Sequence, residues 1–580
     1  MMNSIEKQVL SNLWKTLYSN KKLELLDNFF EEINNFKNSL KLPPQANEWY
    51  KDAIVYSLYV DLFNTDFKGL EAKLDYLQDL GVSCLWLLPI LDSPMKDAGF
   101  DIKNYDKIRP ELLGLAAEAD EAEKETVFLN FLKKAQTKNI QVIFDIAINH
   151  TSVEHPWFQE SRKSVDNPFR DYYIWNKDTN KYEDARLIFK GMCPSNWEKD
   201  GDYYFFHRFF EHQPDLNYKN PEVLLAMTRN LLFWLQKGVA GFRADAIPYL
   251  WKEENTDCEN LPKTHTVVKF FRAILDFVQP NTLLLAEACQ KPAEVIKYFG
   301  NEDECHAGYH FPLMPQIFKA LAQENSNPIK NILSEEVTPK IPESCQWFTF
   351  LRCHDELSLE LVYVSEEDRK YIHENYCHEP LWNFRLGEGV SARLANLFKF
   401  DDKKIGLAFS IMLSLPGTPI IYYGDEFGKA NDENYYEEQK KETGYDDTRY
   451  LVRGRIDWQN VENELAKKES FSSKIYSQLK SQIQNRKNWK CFSRGKIEWV
   501  NLENLQNRNY DDILAYKREF KDEIVLVIQN LSSSKKLVSL PTYNLPKFDI
   551  LGQAINNKQN SDFEIEGYGY YWINISTHSK

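Results

Sequence analysis

The chain has 580 residues, 43% hydrophobic and 27% charged, a composition that can bury sizeable cores and excludes global disorder. Its 71 Lys+Arg against 86 Asp+Glu leave a net charge of −15 with no basic stripe, so a neutral substrate fits better than a nucleic acid or another polyanion. Nine scattered cysteines without a CxxC pair exclude a zinc ribbon or thioredoxin-type centre and suit a reducing, cytoplasmic setting.

The start, MMNSIEKQVLSNLW, lacks the apolar core of a signal peptide. Leu10, Leu13 and Leu17, then Leu25, Leu26, Phe29, Phe30 and Ile33, recur at helical spacing and predict a helical extension docked on the rest of the chain, closed by Pro43-Pro44. From residue 50 strands alternate with helices. AIVYSLYV (53–60) reads as a strand, LEAKLDYLQDLG (70–81) as a helix capped by Gly81, and CLWLLPI (84–90) as a buried strand. A helix over 126–139 and a strand over 140–148 come next. Residues 151–213 break the rhythm and read as an inserted subdomain. Alternation resumes with a helix over 221–238, the strands VAGFRADA, TLLLAEA (282–288) and QWFTFL (346–351), a long charged stretch, and a helix at 405–415 running into the strand TPIIYYG (418–424). The apolar run 405–424 is cut by Pro416-Gly417 and is no membrane span.

About eight near-continuous apolar strands predict a parallel sheet in an α/β chain, a (β/α)8 TIM barrel, with a doubly wound open sheet as the alternative. Short β runs from about 490 predict a C-terminal antiparallel β domain. The expected organisation is a helical extension over 1–46, a catalytic barrel over 47–150 and 214–488, an inserted subdomain over 151–213 after the third strand, and a C-terminal β-sandwich domain over 489–580.

Polar groups stand where apolar strands end. Asp145 lies in the third strand and Asn149 and His150 come after it. Arg243 and Asp245 end GFRADA, Glu287 ends LLLAEA, and His354 and Asp355 come after QWFTFL. Taken singly, each has an ordinary explanation: a helix N-cap, a structural ion pair, a turn. Acids at four strand ends on the face where barrel enzymes carry their sites point instead to catalysis. His306 and His310, four apart without an HExxH context, read as structural, and no nucleotide motif is visible.

DIAINH (145–150), GFRADA (241–246), AEA around Glu287 and HD (354–355) resemble the four signature regions of the alpha-amylase family. HRFFEHQPDLNY (207–218), ENLPKTH (259–265), YFGNEDECHAGYHFPLMP (298–315), LRCHDELSLE (351–360) and LSLPGTPIIYYGDE (413–426) resemble the trehalose synthase branch of that family, which interconverts maltose and trehalose. The resemblance spans about 47–580 and implies retaining α-glucosyl chemistry, with two carboxyls about 5–5.5 Å apart across the glycosidic bond. Asp245 matches the nucleophile, which Arg243 would keep ionised. Glu287 matches the acid/base, which burial would keep protonated at rest. Asp355 matches the third carboxylate, which would stabilise the oxocarbenium-like transition state. Asp101, His150, Gln213, His354 and Arg453 match positions that grip the glucosyl unit.

The implied partners are small sugars, maltose and trehalose; neither nucleic acid nor membrane is expected, and a homo-oligomer is compatible with the sequence. An isomerase needs a closed, water-poor pocket, for which 151–213 and 360–400 are the lid candidates. The alternatives are a retaining α-glucosidase, an α-glucosyltransferase with a different acceptor, and a catalytically silent scaffold. Cys289 and Cys353 stand where the family has Asn, Phe100 where it has Tyr, and 431–455 departs from the usual loop, which bears on acceptor choice. No cofactor is required. A structural calcium would use Asn149, Asp215 and the carbonyls of Tyr249 and Leu250, but Lys252 replaces an acidic ligand and is expected to stand in for the ion.

Overall fold

The computed structural model describes residues 1–580 except 117–118, 190, 501, 503–509, 541–544, 556–561 and 577–580. Eight parallel strands close a barrel in chain order: β1 (Val55–Leu58), β2 (Cys84–Leu87), β3 (Gln141–Ala147), β4 (Gly241–Asp245), β5 (Leu283–Ala286), β6 (Ala307–Tyr309), β7 (Gln346–Phe350) and β8 (Thr418–Tyr422), with β8 pairing back to β1. Seven of these coincide with strands expected from the sequence. β6 is only three residues long and carries Gly308, too short to generate a hydrophobic period. His306 and His310 flank it in structural roles: His306 Nδ1 accepts the Leu284 N–H at 3.2 Å, and His310 Nε2 lies 2.9 Å from Thr338 Oγ1.

Strand side chains alternate between the barrel interior and the surrounding helices. Phe144 and Phe242 point outward, edge to face at 5.5 Å, and Phe144 meets Trp234 of the following helix at 5.4 Å. The intervening positions, Asp145, Arg243 and Asp245, therefore point inward. Asp145 pairs with Arg243 and Ala147 with Asp245 in the β3–β4 register, while Ala244 pairs with Ala286 in β4–β5. Glu287 then emerges one residue above that last pair. A side chain at Gly241 would collide with the Leu283 backbone, so glycine allows β4 and β5 to approach there.

The expected 70–81 helix is two pieces, Phe67–Ala72 and Leu74–Leu80, broken at Lys73 and ended by Gly81 in the left-handed region (φ 103°). The 126–139 helix begins earlier, at Glu121, because Asp120 and Glu123 form a capping box. The N-terminal extension is a helical hairpin, α1 (Ser4–Tyr18) and α2 (Leu23–Ser39). It docks on the Pro262–Val278 helix through Trp14 and Phe29 against Phe270, and Tyr18 donates to the Tyr218 carbonyl at 3.0 Å.

Between β3 and β4 lies a three-stranded antiparallel sheet of Trp175–Asn176, Trp197–Asp200 and Tyr203–Phe206. Beyond the barrel, β9 (Lys496–Trp499), β10 (Ile513–Phe520), β11 (Glu523–Asn530) and β14 (Tyr570–Asn574) form an antiparallel sheet, and β12 (Lys536–Ser539) pairs with β13 (Asp562–Ile565). The expected run EWVNL includes residue 501, outside the described residues. This sheet sits on the Asp402–Ser414 helix, where Trp572 and Gln529 both donate to Ser410 Oγ. Among the described residues no helix is long and apolar enough to cross a membrane, and none of the nine cysteines forms a disulfide.

Candidate active site

Asp245, Glu287 and Asp355 meet at the C-terminal ends of β4, β5 and β7. Arg243 Nη1 bridges the first of them to the barrel interior: it bonds Asp245 Oδ1 and, at 2.8 Å, Asp145 Oδ1. Trp86 Nε1 donates to the other Asp145 oxygen at 2.8 Å. Burial pushes Asp145 up to about 7 against the pull of Arg243. The guanidinium is thus held from below by a carboxyl that burial makes reluctant to ionise, while it pairs above with Asp245.

Glu287 sits beside this pair. Its Oε2 accepts the backbone N–H of Ala246 at 2.9 Å, and Cys289 Sγ lies 3.3 Å from its Oε1. Burial raises its pKa, opposed by Arg243 and reinforced by Asp245. Asp355 has the reverse setting. Burial works against its charge, yet the guanidinium groups of Arg449, Arg453 and Arg243 outweigh it and hold the carboxyl below the usual range. Arg453 Nη2 and Arg449 Nη1 reach Asp355 Oδ1 at 3.0 and 3.2 Å. His354 Nε2 lies 3.1 Å from Oδ2, and burial pushes its own pKa down to about 3, so it is uncharged at neutral pH. The two carboxyls are therefore driven in opposite directions, Glu287 up and Asp355 down, the separation of acid from carboxylate that acid-assisted glycosyl transfer uses.

His354 stacks on Phe100 at 5.4 Å and 20°. Gln213 Nε2 lies 3.4 Å from His150 Nε2 and donates to Asp97 Oδ2 at 3.0 Å. Asp101 is turned toward its own loop. Its oxygens accept from Ser93 Oγ (2.9 Å) and the Lys96 and Asp97 N–H groups (3.0 and 3.2 Å), and burial, with Asp97, lifts it to about 6. Asp97 instead faces Gln213 and Arg449. Sequence reasoning missed both Asp97 and Arg449. Arg449 bonds Asp97, Asp355 and, bidentately, Asp447, and its position one turn before Arg453 was the available signal.

Glu287 and Asp355 line a cavity of about 110 Å3 together with side chains from distant segments. Phe189 and Arg186 come from the inserted segment, Phe384 and Arg385 from the excursion after β7. Glu360 lies 3.5 Å from both Arg186 Nη1 and Arg385 Nη1, so one carboxylate joins the two lid candidates. Arg186 Nε also bonds Glu259 at 2.7 Å. The 431–455 loop reaches over too: Tyr445 donates to Glu211 and stands 3.3 Å from His212 Nδ1.

The candidate calcium ligands converge on a lysine. Lys252 Nζ lies 2.8 Å from Asn149 Oδ1 and 2.7 Å from Asp215 Oδ2, all three residues buried. Calcium takes six to eight oxygens. An ammonium already standing between these two side-chain oxygens occupies the ion's place, so the residues do not fit calcium.

Residues 34–536 match the family model described as alpha amylase, catalytic domain. The chain is 44% identical over 410 residues to "Trehalose synthase/amylase TreS" of Mycolicibacterium smegmatis, covering 68% of this chain and 66% of that protein. It is 39% identical over 520 residues to a trehalose synthase of Thermus thermophilus, covering 85% of this chain and 51% of that one. It thus spans about two thirds and about half the length of these curated relatives. Among solved structures, the alpha-amylase of H. orenii overlays with a TM-score of 0.70 at 24% identity, covering 91% of this chain and all of that one, which speaks for the fold. A closed barrel with acids at its strand ends and a family match over most of its length lead to one conclusion: this chain belongs to the alpha-amylase family.

Proposed function

We propose that this chain interconverts maltose and trehalose by intramolecular transglucosylation, in a retaining double displacement. Asp245 attacks the anomeric carbon while Glu287 protonates the leaving oxygen, and a β-glucosyl–Asp245 intermediate forms. Asp355, ionised beneath Arg449 and Arg453, stabilises the positive charge that develops on the sugar. His150, Gln213, His354 and Arg453 hold the glucosyl unit. Released glucose turns inside the closed cavity and attacks through its anomeric hydroxyl, with Glu287 now the base.

The observation that carries the reading is the Glu360 bridge over the carboxyls. A retaining hydrolase must let water reach its glucosyl-enzyme, whereas an isomerase must keep both water and the free glucose from exchanging. The names of the two curated relatives favour the same reaction.

The test is to incubate the purified protein with maltose and follow the anomeric protons by NMR. Trehalose as the major product is expected. Glucose alone would make the protein a retaining α-glucosidase. No product, with no covalent adduct on Asp245 from a slow fluorosugar, would overturn the assignment.

A further inference from the structure

Glu287 is held from two sides. The Ala246 N–H bonds Oε2 at 2.9 Å, and the Cys289 thiol lies 3.3 Å from Oε1. Cys289 is one of only two cysteines that are not fully buried, and it lines the same cavity as Glu287 and Asp355.

An amide N–H can only donate. Oε2 therefore offers it a lone pair, and because a hydroxyl oxygen is the poorer acceptor the proton of the acid form is favoured on Oε1. What stands beside Oε1 decides how that proton is held. A thiol is a weak donor and a weak acceptor, so it tolerates both states of the carboxyl. A hydroxyl or amide in its place would donate more strongly to the ionised form and favour it.

We propose that Cys289 is a positioning residue for Glu287: with Oε2 tied to Ala246, its thiol leaves the transferable proton on Oε1, weakly held and free to pass to a sugar oxygen. The inference rests on the transglucosylation proposed above. In the first half-reaction the Oε1–H bond breaks and its proton goes to the glycosidic oxygen, the C1–O bond breaks, and the Asp245–C1 bond forms. In the second, the attacking hydroxyl returns its proton to Oε1 as its oxygen bonds C1 and Asp245 leaves. The sulfur is unchanged throughout.

Other charges also act on this carboxyl. Arg243 and Asp245 face it from β4, and Tyr309 from β6. Glu356, Glu360 and Tyr363, from the segment after β7, face Cys289. None of them changes when only the residue at 289 is replaced, so a shift in titration reports the thiol.

The experiment is the pH dependence of kcat/KM on maltose for the wild type, Cys289→Ser and Cys289→Ala, each checked for an unchanged melting curve. The alkaline limb reports loss of the acid's proton. It is expected to move to lower pH by about half a unit or more in Cys289→Ser, because the hydroxyl donates better to the carboxylate. It is expected to move to higher pH in Cys289→Ala, which has no donor, with the acid limb fixed in both. Loss of packing alone would not move the limb in opposite directions. A p-nitrophenyl α-glucoside, whose leaving group needs little protonation, is expected to show much smaller changes.

Unmoved limbs, or shifts in the same direction, with trehalose still formed would overturn the role of Cys289 and leave the isomerase reading intact. Glucose in place of trehalose would end the isomerase reading, while opposite limb shifts would still support Cys289. No turnover of either substrate by the wild type would overturn both.

Discussion

The floor of the cavity and its roof are held by different forces. The floor hangs on barrel strands, where backbone pairing sets which residues share a level: Asp145 beside Arg243, Ala147 beside Asp245, Glu287 just above. The roof is joined by side chains from segments far apart in the chain, Arg186 and Glu360 being separated by 174 residues. Arg186 is 30% exposed, but Glu360 and Arg385 are largely buried, so removing one partner of this bridge costs more than breaking a surface ion pair. The floor drives two carboxyls in opposite directions, Glu287 up and Asp355 down, while the roof spans segments that are joined there through side chains. On the proposed function, chemistry and water exclusion fall to different parts of the molecule.

That division predicts unequal effects. Asp245→Asn is expected to lower turnover on the order of 10⁴-fold or more without changing the melting curve; activity near wild type would break the assignment of the floor. Lys252→Met, at the junction where the inserted segment meets the ends of β3 and β4, leaves Asp215 buried without its counter-charge. It is expected to cost about 3–5 kcal/mol in chemical unfolding. The wild type is expected to melt identically with chelator and with added calcium, and a calcium-dependent rise would show that the ion, not Lys252, serves this junction.

Glu360→Gln should act chiefly on the roof, although Glu360 also faces Cys289. The glucose-to-trehalose product ratio is expected to rise several-fold as the bridge to Arg186 and Arg385 is lost. An unchanged ratio would remove the roof from the mechanism.

The smallest effect concerns acid stability. Asp355 is held below its unfolded value, near 3.9, so its contribution is present above about pH 4 and is lost as pH falls through the lower folded value. Thermal melting is expected to show wild type losing more stability than Asp355→Asn between pH 5 and 3. Parallel losses would mean that the arginines do not stabilise the folded state through this carboxyl.

Much of the floor was legible in advance because an acid closing an apolar strand breaks a pattern. Asp245, Glu287 and Asp355 announce themselves in this way, with His354 beside the last, whereas the contact of Arg453 with Asp355 appears only in the structure. Asp101 matched a motif, but its oxygens turned back to Ser93 and the neighbouring amides. Arg186, Glu360 and Arg385 carry no local signal: charged residues in irregular segments look like any solvated surface.

The hydrophobic rhythm of the chain determined the barrel, since apolar strands alternating with amphipathic helices bury their surface that way, and the strand ends named the candidate carboxyls. Two things waited on the tertiary structure. The ionisation of each carboxyl depends on which groups fold against it, as Ala246 and Cys289 do for Glu287 and three arginines do for Asp355. The closed roof depends on side chains meeting across the cleft. Burial and Coulomb interactions act over a few ångströms of space, and distance along the chain does not encode them.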